Sequence, residues 1–310
     1  MATQEDQQVV IDGTTLTLTS LNKPLWPKRD LIKADYFKYV YDIAPYMLPF
    51  LKNRALTLLR YPHGADGEAF FQKNCPDYAP DFIETADIEG IHYIVGHDLK
   101  TLIWLANQLA FEIHVPFQTI ESHQPSEIVI DLDPPSRDYF SLAKEAALML
   151  KDVLDRLALI SFVKTSGNKG LQLYLPLPDQ MFSYEDTRLF TSFLADYLVE
   201  MKPDLFTTER LKKNRGNRLY VDYIQHAEGK TIIAPYSVRG NEDALVATPL
   251  YWNEVNDDLR PERFPLDQIK NRLEQKGCPF ASFFEAKKRQ PFAKVLQGLK
   301  QHEHKGVLMH

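Results

Sequence analysis

Apolar residues recur at helical spacing in four stretches of the chain. Over 33–47, Tyr36, Phe37, Val40, Tyr41 and Ala44 fall on one face of a 3.6-residue turn. The same period predicts helices over 99–110, capped by Asp98, over 142–159, and over 185–201. The last has Ser183 as its cap and Asp186 three residues on, the spacing of a capping box. Shorter apolar runs bounded by turn residues predict strands at 55–60, 127–131, 161–164, 171–175, 219–224 and 230–234. Strand, long helix, hairpin, helix, then strand and hairpin is the order of an α+β sheet rather than a doubly wound parallel one. The part before residue 125 has strands and helices of its own, which places a soft subdomain boundary there within a single domain over 1–310.

Polar residues interrupt this pattern where chemistry is expected. The strand at 127–131 ends in Asp131-Leu132-Asp133-Pro134-Pro135. Side chains two apart on a strand share a face, so both carboxylates project together where the sheet meets solvent. Two such acids repel unless a cation lies between them, and a hard divalent ion with oxygen ligands suits them. Asp222 is an acid inside the apolar run Leu219-Tyr220-Val221-Asp222-Tyr223-Ile224, and burying it demands a cation, an arginine or a metal. Three carboxylates flanked by Lys169, Arg215 and Arg239 are the parts an in-line nucleotidyl transfer needs. Ser166-Gly167-Asn168-Lys169-Gly170 reads two ways, as an anion cradle of backbone N–H groups or as a plain hairpin turn.

Composition narrows the class. With 310 residues, 44% of them hydrophobic and 25% charged, the chain can bury a sizeable core. The net charge of −6 excludes a generally basic coat, so any nucleic-acid site must be local. Between Lys202 and Arg239 eight Lys and Arg stand against four acids, which makes that segment the candidate patch. No run approaches the roughly 18 apolar residues of a membrane span, and the first residues are polar and acidic, unlike a secretory leader. Cys75 and Cys278 have no ligand spacing, which favours free thiols in a reducing cytoplasm.

Several ordered blocks together resemble one family. Asp131-Leu132-Asp133-Pro134-Pro135, Thr165-Ser166-Gly167-Asn168-Lys169-Gly170-Leu171, and Val221-Asp222-Tyr223 followed by Gly229-Lys230-Thr231-Ile232-Ile233-Ala234-Pro235-Tyr236-Ser237-Val238-Arg239 look like the polymerase domain of bacterial ATP-dependent DNA ligase D. That domain is part of the archaeo-eukaryotic primase superfamily. Asn22-Lys23-Pro24-Leu25-Trp26-Pro27, Arg60-Tyr61-Pro62-His63-Gly64, Phe70-Phe71-Gln72-Lys73 and Ala247-Thr248-Pro249-Leu250 extend the resemblance over nearly the whole chain. It implies a primase-like catalytic sheet with flanking helices over 126–310 and a packed α/β part over 1–125 that binds DNA ends. It also implies a two-metal site of Mn²⁺ or Mg²⁺ on Asp131, Asp133 and Asp222. His114, Ser166, Lys169, Gln225 and Arg239 become contacts to the incoming nucleotide, Lys23 and Lys33 contacts to the 5′-phosphate of a gap, and Phe70 and Phe71 neighbours of the templating base.

The implied activity is nucleotide addition to DNA 3′ ends at gaps or breaks in non-homologous end joining. It would run on NTP or dNTP with ribonucleotides preferred, beside Ku and an ATP-dependent ligase, in the bacterial cytoplasm at the nucleoid. A stand-alone primase starting chains de novo, and a DNA-end bridging module with weak catalysis, remain alternatives. The family pattern places histidine where Gln172 stands. A glutamine cannot be cationic, so Gln172 is expected to meet the triphosphate as a neutral hydrogen-bond donor.

Overall fold

The computed structural model describes residues 6–307, with side chains through His302. Two compact units emerge. One comprises the residues through Glu121 with Thr231–Thr248 and Pro261–Cys278, and the other Ser122–Lys230, Pro249–Arg260 and the residues from Pro279 on. The division is therefore not a single cut near 125. The segment after residue 230 returns to the first unit because Thr231–Ile233 completes a sheet there.

In the first unit that sheet runs Thr231–Ile233, Ala110–Pro116, Thr57–Arg60, Phe70–Gln72, with every neighbour antiparallel. The helix Lys33–Leu51 continues through Pro45 and Pro49, four residues beyond the expected end, and buries Tyr36, Phe37, Val40, Ile43, Ala44 and Met47. A second helix, Leu99–Asn107, starts on Asp98, whose carboxylate accepts from the Thr101 N–H at 2.9 Å. It stops three residues earlier than its apolar period suggests. Leu109 has positive φ, and from Ala110 the chain becomes the strand whose residues alternate Phe111 and Ile113 against Glu112 and His114. Phe111 is the hub of an aromatic core, stacked on Trp26 at 4.2 Å and on Tyr61 at 4.9 Å.

The second unit is built on a sheet in the order Phe206–Thr207, Leu219–Asp222, Glu127–Asp133, Leu171–Pro176, Phe162–Thr165, Pro249–Leu250. All pairs are antiparallel except the first. Helices Phe140–Arg156 and Tyr184–Met201 pack on the central strand Glu127–Asp133. Tyr184–Met201 carries the expected capping box: Ser183 Oγ accepts from the Asp186 N–H at 3.1 Å, and Asp186 accepts from the Ser183 N–H at 3.0 Å. Phe162, Tyr174, Phe280 and Phe283 form a second aromatic cluster in edge and stacked contacts between 5.2 and 6.2 Å. The mixed helix and antiparallel sheet is the α+β fold that the element order implies. Among the described residues no helix is long and apolar enough to cross a membrane.

Candidate active site

Strand register assembles the second unit's site. Lys164 pairs with Gln172, Gln172 with Asp131, and Asp131 with Asp222, so the four residues form one row across four neighbouring strands. Antiparallel partners share a face, and Asp133 joins it two residues beyond Asp131. The alternate residues Ile128, Ile130 and Leu132 point the other way, into the core, and are fully buried. The period of two thus separates the apolar support from the polar row.

Three of the four are hydrogen-bonded in series. The buried Lys164 ammonium donates to Gln172 Oε1 at 2.5 Å, and Gln172 Nε2 donates to Asp131 Oδ1 at 3.0 Å. Because an ammonium only donates, it fixes which end of the amide faces it and turns the NH₂ toward the carboxylate. Gln172 is therefore buried and bonded to an acid rather than placed as an isolated phosphate donor, a partner the sequence pattern did not reveal. Burial first, and then the Asp133 charge, push the Asp131 carboxyl up to about 6, with the Gln172 bond pulling the other way and Asp222 adding repulsion. Asp222 is also raised, by burial foremost, although the Tyr220 hydroxyl at 3.1 Å and the Gln225 N–H at 3.0 Å both donate to it.

Asp133 is held by cations. Lys169 Nζ lies 3.0 Å and the Arg215 guanidinium 3.9 Å from its oxygens, and Arg215 stacks 3.7 Å from the centre of the Tyr220 ring. The turn from Ser166 to Gly170 is a closed hairpin: the Ser166 N–H donates to Gly170 O, and Ser166 Oγ accepts from the Asn168 and Gly170 N–H groups. Lys169 reaches back over it to the Pro134 carbonyl at 2.6 Å. A Cβ on Gly170 would stand 2.3 Å from Leu132 O, so only glycine lets the hairpin close on the acid-bearing strand.

Three carboxylates on one face, two with raised affinity for a proton, match the charge and hardness of Mg²⁺ or Mn²⁺. As placed, no three or more Asp, Glu, His or Cys side chains among the described residues close into a ligand set. Asp133 is turned onto Lys169 and Arg215, and Asp222 onto Tyr220 and the Gln225 N–H. The donor chemistry fits the ion, and these intramolecular partners are what it would displace.

The remaining candidates lie in the first unit. His114 and Arg239 meet on Glu112, a residue that the sequence pattern alone did not single out. Glu112 Oε2 accepts from Arg239 at 2.7 Å and from His114 Nε2 at 3.0 Å, while Oε1 accepts from the Tyr61 hydroxyl at 3.0 Å and the Gly240 N–H at 3.2 Å. The available signal was an acid inside the apolar strand Phe111-Glu112-Ile113, the same anomaly that marks Asp222. Burial alone would raise the Glu112 carboxyl, but the His114 hydrogen bond and the Arg239 charge hold it at about 2. A folded value below the usual 4.5 means stability present above pH 4.5 and lost as pH falls toward 2. That loss is expected to reach about 3 kcal/mol and to vanish in Glu112→Gln, which urea melts between pH 2 and 5 would show.

Lys23 donates to the Pro62 carbonyl. Lys33 is buried, with its ammonium on Asn107 O at 3.0 Å, Asn107 Oδ1 at 2.9 Å and Thr19 Oγ1 at 3.3 Å. Burial, and then the nearby Lys23 charge, lower Lys33 to about 8, with Asp6 acting in the opposite sense. Phe70 and Phe71 are exposed at 44% and 70% on a sheet edge, so neither is core, and the Arg60 guanidinium lies 5.3 Å from the Phe70 ring. Both cysteines are free, as their spacing suggests.

A mainly antiparallel sheet backed by helices, with three carboxylates on one face, agrees with a nucleotidyltransferase of the primase-polymerase class, which the similarity to known proteins shows. Residues 32–280 match the model of the LigD primase-polymerase domain. The chain belongs to that family. It is 54% identical over 286 residues to the bifunctional non-homologous end joining protein LigD of Bacillus subtilis, covering 92% of this chain and 47% of that one. The multifunctional LigD of Mycolicibacterium smegmatis is 34% identical, over 84% of this chain and 35% of the relative. The chain thus spans about half or less of these relatives. The polymerase domain of Mycobacterium tuberculosis ligase D, solved in complex with DNA, superposes with a TM-score of 0.80 at 32% identity, covering 86% of this chain and 97% of that one.

Proposed function

We propose that this chain adds nucleotides to DNA 3′ ends at gaps and breaks during non-homologous end joining, with ribonucleotides preferred and with Ku and an ATP-dependent ligase as partners. The observation that carries the reading is the shared face of Asp131, Asp133 and Asp222, set by register and by the two-residue period. The DNA in the related ligase D polymerase structure and the end-joining names of the LigD relatives support the substrate and the pathway.

Asp131, Asp133 and Asp222 would hold the divalent ions, which supply a more acidic 3′-hydroxyl and charge neutralisation of the triphosphate. Around them, Gln172 orients Asp131, and Lys169 and Arg215 balance the negative charge on Asp133. Ser166, Gln225, His114 and Arg239 are proposed as nucleotide contacts. Extension of a labelled gapped duplex with each of NTP and dNTP, in Mg²⁺ and in Mn²⁺, tests the activity; no extension in either metal sinks it. Product without a primer would favour the primase reading instead.

The Lys23 and Lys33 ammoniums, close enough to depress Lys33, are proposed to bind the 5′-phosphate. Lys23→Ala with Lys33→Ala should weaken binding to 5′-phosphorylated gaps and leave 5′-hydroxyl gaps nearly unchanged, with the salt slope smaller by about one for each phosphate no longer neutralised. Wild-type preference for phosphorylated gaps should also fade above about pH 8, because Lys33 loses its charge there. Fluorescence anisotropy on the two gap types separates the outcomes, and equal weakening on both would make the lysines a general patch.

A further inference from the structure

Four donors from three segments of the chain, Tyr61, His114 and the Arg239-Gly240 pair, converge on one buried carboxylate, Glu112. Two of them, Tyr61 and the Gly240 N–H, hold Oε1, and the His114 and Arg239 side chains take Oε2. The backbone is shaped for this contact. The strand carrying Glu112 shifts register against Thr57–Arg60 between Ala110 and Glu112. Gly240 admits the Tyr61 ring so closely that a Cβ there would stand 1.9 Å from it. Upstream of Arg239, Tyr236 has φ 67, a left-handed conformation that costs a non-glycine residue energy. Its carbonyl accepts from the Tyr39 hydroxyl at 2.6 Å, and Ser237 Oγ accepts from the Ile113 N–H at 2.8 Å, tying the segment to the strand of Glu112.

A long arginine free to rotate loses conformational entropy when it grips an anion, and an arginine already fixed by a carboxylate loses less. One guanidinium nitrogen of Arg239 is on Glu112, and the side chain stays a quarter exposed, so the remaining N–H groups can serve a second anion. We infer that Glu112 is a positioning residue: it holds Arg239 and His114 in one fixed arrangement, preorganised for the phosphates of a nucleoside triphosphate. The inference rests on the proposed role of Arg239 and His114 as nucleotide contacts.

A carboxamide at position 112 can accept on one side only, so Glu112→Gln must present its NH₂ either to Arg239 and His114 or to Tyr61 and Gly240. The expected result is about a ten- to hundredfold weaker ATP affinity by titration calorimetry, the scale of one lost hydrogen bond to a charged group. In primer extension the KM for nucleotide should rise in step while kcat stays within about threefold, because the chemical step lies with other residues. A double-mutant cycle separates positioning from general damage: Glu112→Gln should add little in an Arg239→Ala background. Full additivity there overturns the inference, as does wild-type ATP affinity in Glu112→Gln while Arg239→Ala is weakened. Wild-type affinity in Arg239→Ala overturns the nucleotide-contact reading itself, and the inference with it. Should Glu112→Gln not fold, Glu112→Asp keeps the charge but withdraws it by one methylene; it too should bind ATP more weakly, and unchanged affinity would overturn the proposal.

Discussion

An Asp131→Ala chain is expected to lose nucleotide addition at a gapped duplex by at least about 100-fold, the scale of removing one stabiliser of transition-state charge, while its DNA affinity stays near wild type. Asp131→Asn should be equally inactive but more stable than the wild type without metal. The folded carboxyl titrates at about 6 against an ordinary 3.8, so the native state holds this proton more tightly than the unfolded chain does. Ionised Asp131 therefore costs stability fully above about pH 6, up to about 3 kcal/mol, and the cost disappears below about pH 4. Asparagine removes it, so the two melts should differ at pH 7 and converge at pH 4. Extension assays and metal-free thermal melts on one preparation check both halves. Near wild-type extension by a folded Asp131→Ala protein would remove the metal-ligand assignment.

Gln172→Ala is expected to lower the rate about ten- to a hundredfold and to destabilise the fold, because one substitution takes the acceptor from a buried ammonium and the donor from Asp131. Gln172→Glu should be worse than alanine, since a second carboxylate would then face Asp131. Gln172→His places here the histidine that the family resemblance implies. A neutral imidazole accepts on one nitrogen and donates on the other, so it can take from Lys164 and give to Asp131 as the amide does. Retained activity without the low-pH gain expected of a cation is the predicted outcome, because an imidazolium would face the Lys164 ammonium. Steady-state kinetics on one gapped substrate, with Mn²⁺ affinity measured separately, decide it; alanine equal to glutamine in both would dissolve the row.

The parts legible in the sequence were those governed by local periodicity. The helices beginning near 33, 99, 140 and 184 carry apolar stripes, and two of them carry caps that formed as expected at Asp98 and Ser183. The Asp131–Asp133 spacing was readable because a strand's period is two, and Asp222 because an acid in an apolar run demands a reason. The strand Ala110–Pro116 was hidden behind the helix pattern running into it, and the breaking residue, Leu109, gives no composition signal for its left-handed turn. The C-terminal helices Leu266–Lys276, Phe283–Lys287 and Phe292–Val307 were hidden as well; the first has few apolar positions, Leu266, Ile269 and Leu273 forming its buried side. Asp131 as partner of Gln172, and Arg239 as partner of Glu112, were out of reach for another reason. Gln172 meets Asp131 across 41 residues and Glu112 meets Arg239 across 127, and no local pattern encodes a contact at that separation.

The return of Thr231–Thr248 and Pro261–Cys278 to the first unit bears on how the chain is made. A ribosome delivers the Ala110–Pro116 strand long before Thr231–Ile233, its sheet neighbour, so that strand's edge waits unpaired while more than a hundred residues are synthesised. Ser122–Lys230 emerges within this interval, carrying Asp131, Asp133 and Asp222. A nascent chain stalled before residue 231 would therefore hold all three acids but neither Thr231–Ile233 nor Arg239. Limited proteolysis of stalled nascent chains should find the Ala110–Pro116 region cleavable until Thr231–Ile233 has emerged from the ribosome and protected afterwards.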